Sequence, residues 1–308
     1  MEQSMNLKSI DSRVTSTATH VKTLILGAGL GGLGTGAQLV RSGDTDFVII
    51  EKGPGIGGVW RYNNYPGAAC DTESHLYCYS FFPHQTASEK YASRKELLGY
   101  MERLATAYDL HPRIRLNCEL LKAVWDRHSK LWRFEVRGGG CITARFFVPA
   151  WGQLSRPSTP SYPGRERYRG QMFHSAEWDK TVELSGKRVA SIGNAASAVQ
   201  YVPAIAPHVK QLTVFQRSAN WIMPRDQTTF TRQELTSFSA EPAQFDRSRM
   251  HLHQLREDSY PHRKKLRKSL CSPPRENSIH SSRLALGNSP RMRCKFLRRD
   301  DSTRLFRE

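Results

Sequence analysis

The chain has 308 residues, of which 38% are hydrophobic and 10% aromatic; that is enough for about two domains with real cores and excludes disorder throughout. A formal charge of +18 would suit an anionic macromolecule. However, residues 261–308 alone hold 14 Lys/Arg against 4 Asp/Glu, so most of the excess belongs to the last 48 residues. The six cysteines form no CxxC pair and lie at no zinc-ligand spacing from histidine, so free thiols, a reducing compartment and no metal are expected. The first twenty residues carry no apolar signal core, and no apolar run reaches the ~20 residues of a membrane span. A cytoplasmic location is the expectation.

In chain order, VKTLIL (21–26) reads as a buried strand and runs into GAGLGG, where Gly27, Gly29 and Gly32 form GxGxxG. LGTGAQLVRSG reads as a helix stopped by Gly43, and DFVII (46–50) as a second strand ended by Glu51, 24 residues after Gly27. The glycines permit a tight turn, close approach of backbone to a pyrophosphate and close packing of helix on strand, while the acid accepts from ribose hydroxyls. A carboxylate at that place repels a 2′-phosphate, which leaves FAD or NAD. A second glycine cluster follows the acid in EKGPGIGGVW (51–60), and then comes a long aromatic run rich in turn residues. This favours FAD, with the run lining a pocket.

The pattern returns further on. KRVASI (187–192) reads as a strand, GNAASA as the turn, and VQYVPAIA as a helix. QLTVFQRS (211–218) is a strand ended by Arg217, again 24 residues beyond the first turn residue, Gly193. A cation there complements a 2′-phosphate, so this half should take NADPH. Ala195 stands where a second glycine is usual, and its methyl is expected to hold the backbone off the pyrophosphate. Between the two turns, ASRKELLGYMERLATAYDL (92–110) reads as an amphipathic helix, 113–136 as strands, and 138–152 as an arm returning to the first domain. The expected fold is α/β: two Rossmann-type dinucleotide-binding domains, FAD first and NADPH inserted; a family resemblance carried by the next segment implies that both are incomplete and are followed by the start of a helical insertion.

YRGQMFHSAEWD (168–179) lies between the two turns. Tyr168, Gly170, His174, Trp178 and Asp179 follow the fingerprint F-x-G-x-x-x-H-x-x-x-W-P/D with Tyr in place of Phe. In this the chain resembles the FAD-containing Baeyer–Villiger monooxygenases, among the class B flavin monooxygenases. GGVW (57–60), YPGAACD (65–71), GQLSRPSTPSYPG (152–164) and VFQRSANWIMPR (214–225) extend the resemblance over about 20–260.

The resemblance implies an enzyme that reduces FAD with NADPH, uses O2, and inserts one oxygen next to a ketone to give an ester or lactone, in specialised (secondary) metabolism. By the same resemblance Glu51, Val59, Trp60, Asp71, Tyr77 and the backbone of Val124 should touch FAD. Ala69, Cys70, Gly193, Asn194, Ala195, Ala196, Ser197, Ala198, Arg217 and Ser218 should hold NADP. Asp71 would be the catalytic acid, and His174 and Trp178 hinge residues. The departures are Tyr168, Ala195, Trp151 inside an A-T-G turn, Ala69 where some members have Arg, and length: the family's catalytic Arg has no counterpart, as in a C-terminally truncated chain.

The implied domains are a disordered N-terminus (1–20), the FAD domain (21–155), the NADPH domain (156–225), the start of a helical insertion (226–260), and a basic tail (261–308) that is disordered or foreign to the family. That tail lacks the aromatic interleaving of a base-stacking surface, so nucleic acid is not an expected partner; a small ketone and O2 are. The alternatives are an N- or S-oxygenating flavin monooxygenase and an inactive nucleotide-binding remnant.

Overall fold

The computed structural model describes residues 19–138, 140–218, 220, 222, 225–269 and 292–296. Of these, 19–56 and 105–152 form one compact unit, and 57–104 with the described residues from 153 on form another. Segment 57–104, expected inside the FAD domain, therefore packs with the second unit, because its aromatic side chains find their apolar partners there.

The first unit is a six-stranded sheet in the order β3-β2-β1-β6-β5-β4. The strands are β1 Thr19–Leu26, β2 Phe47–Ile50, β3 Ile114–Arg115, β4 Leu120–Asp126, β5 Leu131–Val136 and β6 Gly140–Pro149. β1, β2, β3 and β6 run parallel, with Leu26 beside Ile50 on one side and Pro149 on the other. β4, β5 and β6 form an antiparallel meander. The long last strand thus returns the chain to the centre of the sheet. All four residues of β2 are buried, the continuous apolar run of a strand covered on both faces. Helix α1 (Leu30–Arg41) buries Leu33 and Ala37, while Val21, Leu24, Val48, Ile50, Phe134 and Ile142 form the core of this unit.

The second unit holds a parallel sheet in the order β7-β8-β9, with β7 Arg188–Ile192, β8 Gln211–Gln216 and β9 Met292–Phe296. Helix α4 (Ala196–Ile205) joins β7 to β8 and buries Ala198, Val202 and Ile205 on Leu212 and Val214. The unit also carries the short α2 (Val59–Tyr62), most of α3 (Arg94–Ala107), α5 (Arg232–Ala240) and α6 (Pro242–Ser269). α5 opens with a reciprocal capping box between Thr231 and Glu234, which satisfies two N-terminal donors. Residue 260 is not an element boundary: α6 runs past it to Ser269, and 292–296 pair with β8. The remainder of the expected disordered tail, like residues 1–18, lies outside the described residues. No described helix is long and apolar enough to cross a membrane.

A buried histidine ties the helical segment to the rest of this unit. His75 is 1% exposed. Its ring stacks on Phe230 at 5.0 Å and meets Phe238 of α5 and Phe245 of α6 at 4.7 and 4.5 Å. Its Nδ1 lies 2.9 Å from Ser248 Oγ. His84, wholly buried beside Tyr100, has no hydrogen-bond partner for either ring nitrogen. Burial lowers the His75 pKa to about 4 and, with help from nearby Arg103 and His75, that of His84 to about 3.

Both folded values lie below the unfolded ones, so the unfolded chain takes up protons first as the pH falls. The stability is present above the unfolded pKa and is lost on the way down toward the folded pKa. Thermal melts should therefore drop between pH 6.5 and 4, by up to ~1.4 kcal/mol per pH unit for each histidine. His84→Leu should flatten that slope; an unchanged slope would contradict the assignment.

Candidate dinucleotide turns and the 65–77 loop

The first glycine turn lies at the carboxyl end of β1, flanked by β2 and β6, where open parallel sheets place ligands. The Gly27 amide donates to Ile50 O at 2.8 Å. Gly27 has φ +105°, and a Cβ on it would lie 2.7 Å from Ala150 O. A Cβ on Gly32 would lie 1.8 Å from Gly27 O, so α1 can start this close to the strand only with glycine there. Gly29 is the N-cap, in extended backbone, and no side chain caps the helix. Glu51 is 6% exposed. Its two carboxylate oxygens accept from Ala28 N at 3.0 Å and Gly53 N at 2.9 Å, so the acid is held under the turn. Val124 is 42% exposed on β4, the terminal strand of this sheet.

The second turn repeats the first. The Gly193 amide donates to Phe215 O at 2.8 Å, Gly193 has φ +101°, and α4 also lacks a side-chain cap. Ala195 is the N-cap, with φ −76° and ψ −174° against −85° and −168° for Gly29. Ala195 thus keeps the extended conformation of Gly29, which an L side chain adopts without strain, and it is exposed. Ala196, Ser197 and Ala198 form the first turn of α4. The Asn194 amide donates to Gln216 Oε1 and Ser218 O, each at 2.8 Å, and Asn220 donates to Asn194 O. This clamp fixes the chain on both sides of Arg217, which is exposed.

Each turn therefore combines a positive-φ glycine, an uncapped helix N-terminus and, one residue past the following strand, a charged side chain. These features fit a dinucleotide diphosphate. The charge is a buried carboxylate at the first turn and an exposed guanidinium at the second.

The remaining expected flavin contacts lie in the second unit. Val59 and Trp60 start α2. The Trp60 indole N–H donates to Tyr77 OH at 3.1 Å, with the rings edge to face at 5.7 Å. Both rings pack on buried Cys70, Ala92 and Leu97. Burial pushes the Cys70 thiol and the Tyr77 phenol up, so neither is a ready nucleophile or acid. Asp71 is exposed.

Of the fingerprint residues, Tyr168 is 47% exposed and its ring fills the space where a Gly170 Cβ would go. His174 caps a short 3-10 helix, Ser175–Glu177, by accepting from Ala176 N at 3.1 Å. Trp178 packs on Tyr201 of α4 at 5.3 Å and on Phe173 at 5.2 Å. Asp179 accepts from the Thr181 hydroxyl at 2.6 Å and its amide at 2.9 Å, bonds that lower its pKa.

Two anchors of the 65–77 loop escaped sequence reasoning. Arg256 of α6 donates to Glu73 Oε2 through Nε at 2.8 Å and through Nη2 at 2.6 Å, and reaches Asp71 O at 3.4 Å. Burial alone would raise the Glu73 pKa, but bonds from its own backbone and from Arg256 bring it below the usual value. A pairing across 183 residues leaves no local trace. Gln200 of α4 bonds Ala69 and Tyr65; the signal there is the one carboxamide of a helix that is mostly apolar.

Comparison with known proteins adds the following. The family described as pyridine nucleotide-disulphide oxidoreductase matches residues 24–254. The chain is 42% identical over 225 residues to a Baeyer–Villiger monooxygenase of Streptomyces coelicolor, covering 73% of this chain and 43% of that one. It is 34% identical to a phenazine N-monooxygenase of Lysobacter antibioticus, covering 68% and 40%. Among solved structures, cyclohexanone monooxygenase from Rhodococcus sp. Phi1 bound to NADP+ superimposes with a TM-score of 0.68 at 32% identity, over 74% of this chain and 44% of that one. OTEMO in complex with FAD and NADP gives 0.66 at 33%, over 72% and 43%. The chain thus spans under half the length of these relatives.

The two glycines predict an order of severity. Gly32→Ala drives a methyl into a backbone carbonyl and should cost more than ~3 kcal/mol in denaturant unfolding. At Gly193 a Cβ meets nothing within 4 Å, so Gly193→Ala should cost only the ~1–2 kcal/mol of its positive φ. Equal losses would contradict this reading of the turns.

Proposed function

Because the chain belongs to the pyridine nucleotide-disulphide oxidoreductase family, on the branch of the Baeyer–Villiger flavin monooxygenases, we propose that it holds FAD at the Gly27 turn and NADPH at the Gly193 turn. The reaction served is insertion of one oxygen atom of O2 next to the carbonyl of a small ketone, giving an ester or lactone, in specialised metabolism. The observation that carries this reading is the inversion of charge between two turns of one geometry, buried Glu51 against exposed Arg217. A carboxylate takes ribose hydroxyls and rejects a 2′-phosphate, and a guanidinium does the reverse.

FAD, reduced by NADPH, supplies the activation of O2. The chain's own residues bind and orient. The helix N-termini of α1 and α4 receive the diphosphates, Glu51 the adenosine ribose of FAD, and Asn194 holds the strand end from which Arg217 reaches the 2′-phosphate. Val59, Trp60, Asp71, Tyr77 and Val124 complete the flavin contacts, and Ala69, Cys70 and Ser218 those of NADP. Asp71 is the acid assigned to the reacting centre, while Trp60, Cys70 and Tyr77 pack the loop that carries it. His174 and Trp178 transmit nucleotide-dependent movement as hinge residues. A cytoplasmic location suits the four unpaired cysteines among the described residues.

N-oxygenation is the second reading, favoured by the phenazine N-monooxygenase relative. Offering the purified, FAD-supplemented chain NADPH with either cyclohexanone or phenazine separates the two, with lactone or N-oxide as the product. A chain that takes up neither FAD nor NADP+ overturns both. Arg217→Ala should weaken NADP+ binding by about tenfold or more and leave NAD+ unchanged; an equal effect on both nucleotides would remove Arg217 from the 2′-phosphate.

A further inference from the structure

We infer that Gln200 is the positioning residue through which occupancy of the Gly193 turn sets the conformation of the 65–71 loop, a role that rests on the nucleotide reading above. The loop segment 68–70 is a short extended stretch paired on one side with 92–94. Cys70 N donates to Ala92 O and Arg94 N to Ala68 O, each at 2.9 Å, and Ala69 sits opposite Ser93 in an antiparallel bridge. In such a bridge the bonds to the partner come from the residues flanking Ala69, so the N–H and C=O of Ala69 itself point away from it. A third strand would normally take them.

Here one side chain does so. Gln200 Nε2 donates to Ala69 O at 2.8 Å, and Gln200 Oε1 accepts from Ala69 N at 3.3 Å and from Tyr65 OH at 3.1 Å. A carboxamide has the donor and acceptor of a peptide group at peptide spacing, so it completes the sheet from the helix. The backbone is close as well. Gly67 has φ +78°, and a Cβ on it would lie 2.9 Å from Gln200 O and 3.3 Å from Ala204 Cβ, so the loop rests directly on α4.

Gln200 is four residues after Ala196, the first residue of α4, hence on the same face one turn from the uncapped N-terminus. A diphosphate that draws that terminus in displaces Gln200, and with it Ala69, Cys70 and Asp71. The downstream end of the loop stays with α6 through Glu73 and Arg256, which confines the movement to 65–71.

Amide hydrogen exchange on the full chain, with and without NADP+, tests this. In the wild type NADP+ should slow exchange in peptides covering both 193–199 and 65–72. In Gln200→Leu it should still slow 193–199 but no longer affect 65–72, whose exchange without nucleotide should be about tenfold faster than in the wild type. Gln200→Glu, which keeps the acceptor and the length, should restore part of the response and guards against a fold defect in the leucine variant.

A purely structural side chain would change the basal exchange and leave the response to NADP+ intact, which overturns the inference. A wild-type loop indifferent to NADP+ while 193–199 is protected also overturns it, with nucleotide binding left standing. Absence of protection at 193–199 overturns the nucleotide reading and this role together.

Discussion

The carbonyl of Gly27 and the α-carbon of Gly32 approach so closely that no β-carbon fits between them. Everything at the first turn depends on that contact. It seats the N-terminus of α1 against the end of β1, and it brings the Ala28 amide down onto the Glu51 carboxylate. The packing of Leu33 and Ala37 on the sheet follows from the same entry angle.

The second turn reaches the same geometry with fewer constraints. Its glycine is needed for φ alone, and its N-cap is alanine. What holds the turn instead is side-chain amide chemistry: Asn194 and Asn220 clip the turn to the end of β8, while Trp178 packs on Tyr201 of the helix. Two solutions to one backbone path explain why one copy keeps GxGxxG and the other retains a single glycine. The path is common to both, and the charge of the residue after the strand is not.

Much of this was legible in sequence because it is local. Turn, helix, second strand and terminal charge lie within 25 residues of one another in each unit, directly after the first strand, and their order alone defines the βαβ geometry. The second-unit loop was not legible in the same way. Trp60, Tyr77 and Cys70 could be singled out, but their partners Ala92 and Leu97 are ordinary core residues, and Glu73 meets Arg256 across most of the chain. The allegiance of 57–104 to the second unit also follows from long-range packing, where His75 collects three phenylalanines that the sequence scatters over Phe230–Phe245. Composition suggested a tail without structure from 261 onward. Helical continuation to Ser269 and the strand 292–296 run against that, since backbone pairing to β8 needs no hydrophobic periodicity in the segment that supplies it.

The cap at His174 has a consequence for what that residue can do. Because its Nδ1 accepts the Ala176 amide, the neutral ring must carry its proton on Nε2. The side chain therefore offers a hydrogen-bond donor, never an acceptor, to whatever approaches from outside. The histidine is thus a one-way fitting: one ring nitrogen stays with its own backbone, and the other can only grip an electronegative atom.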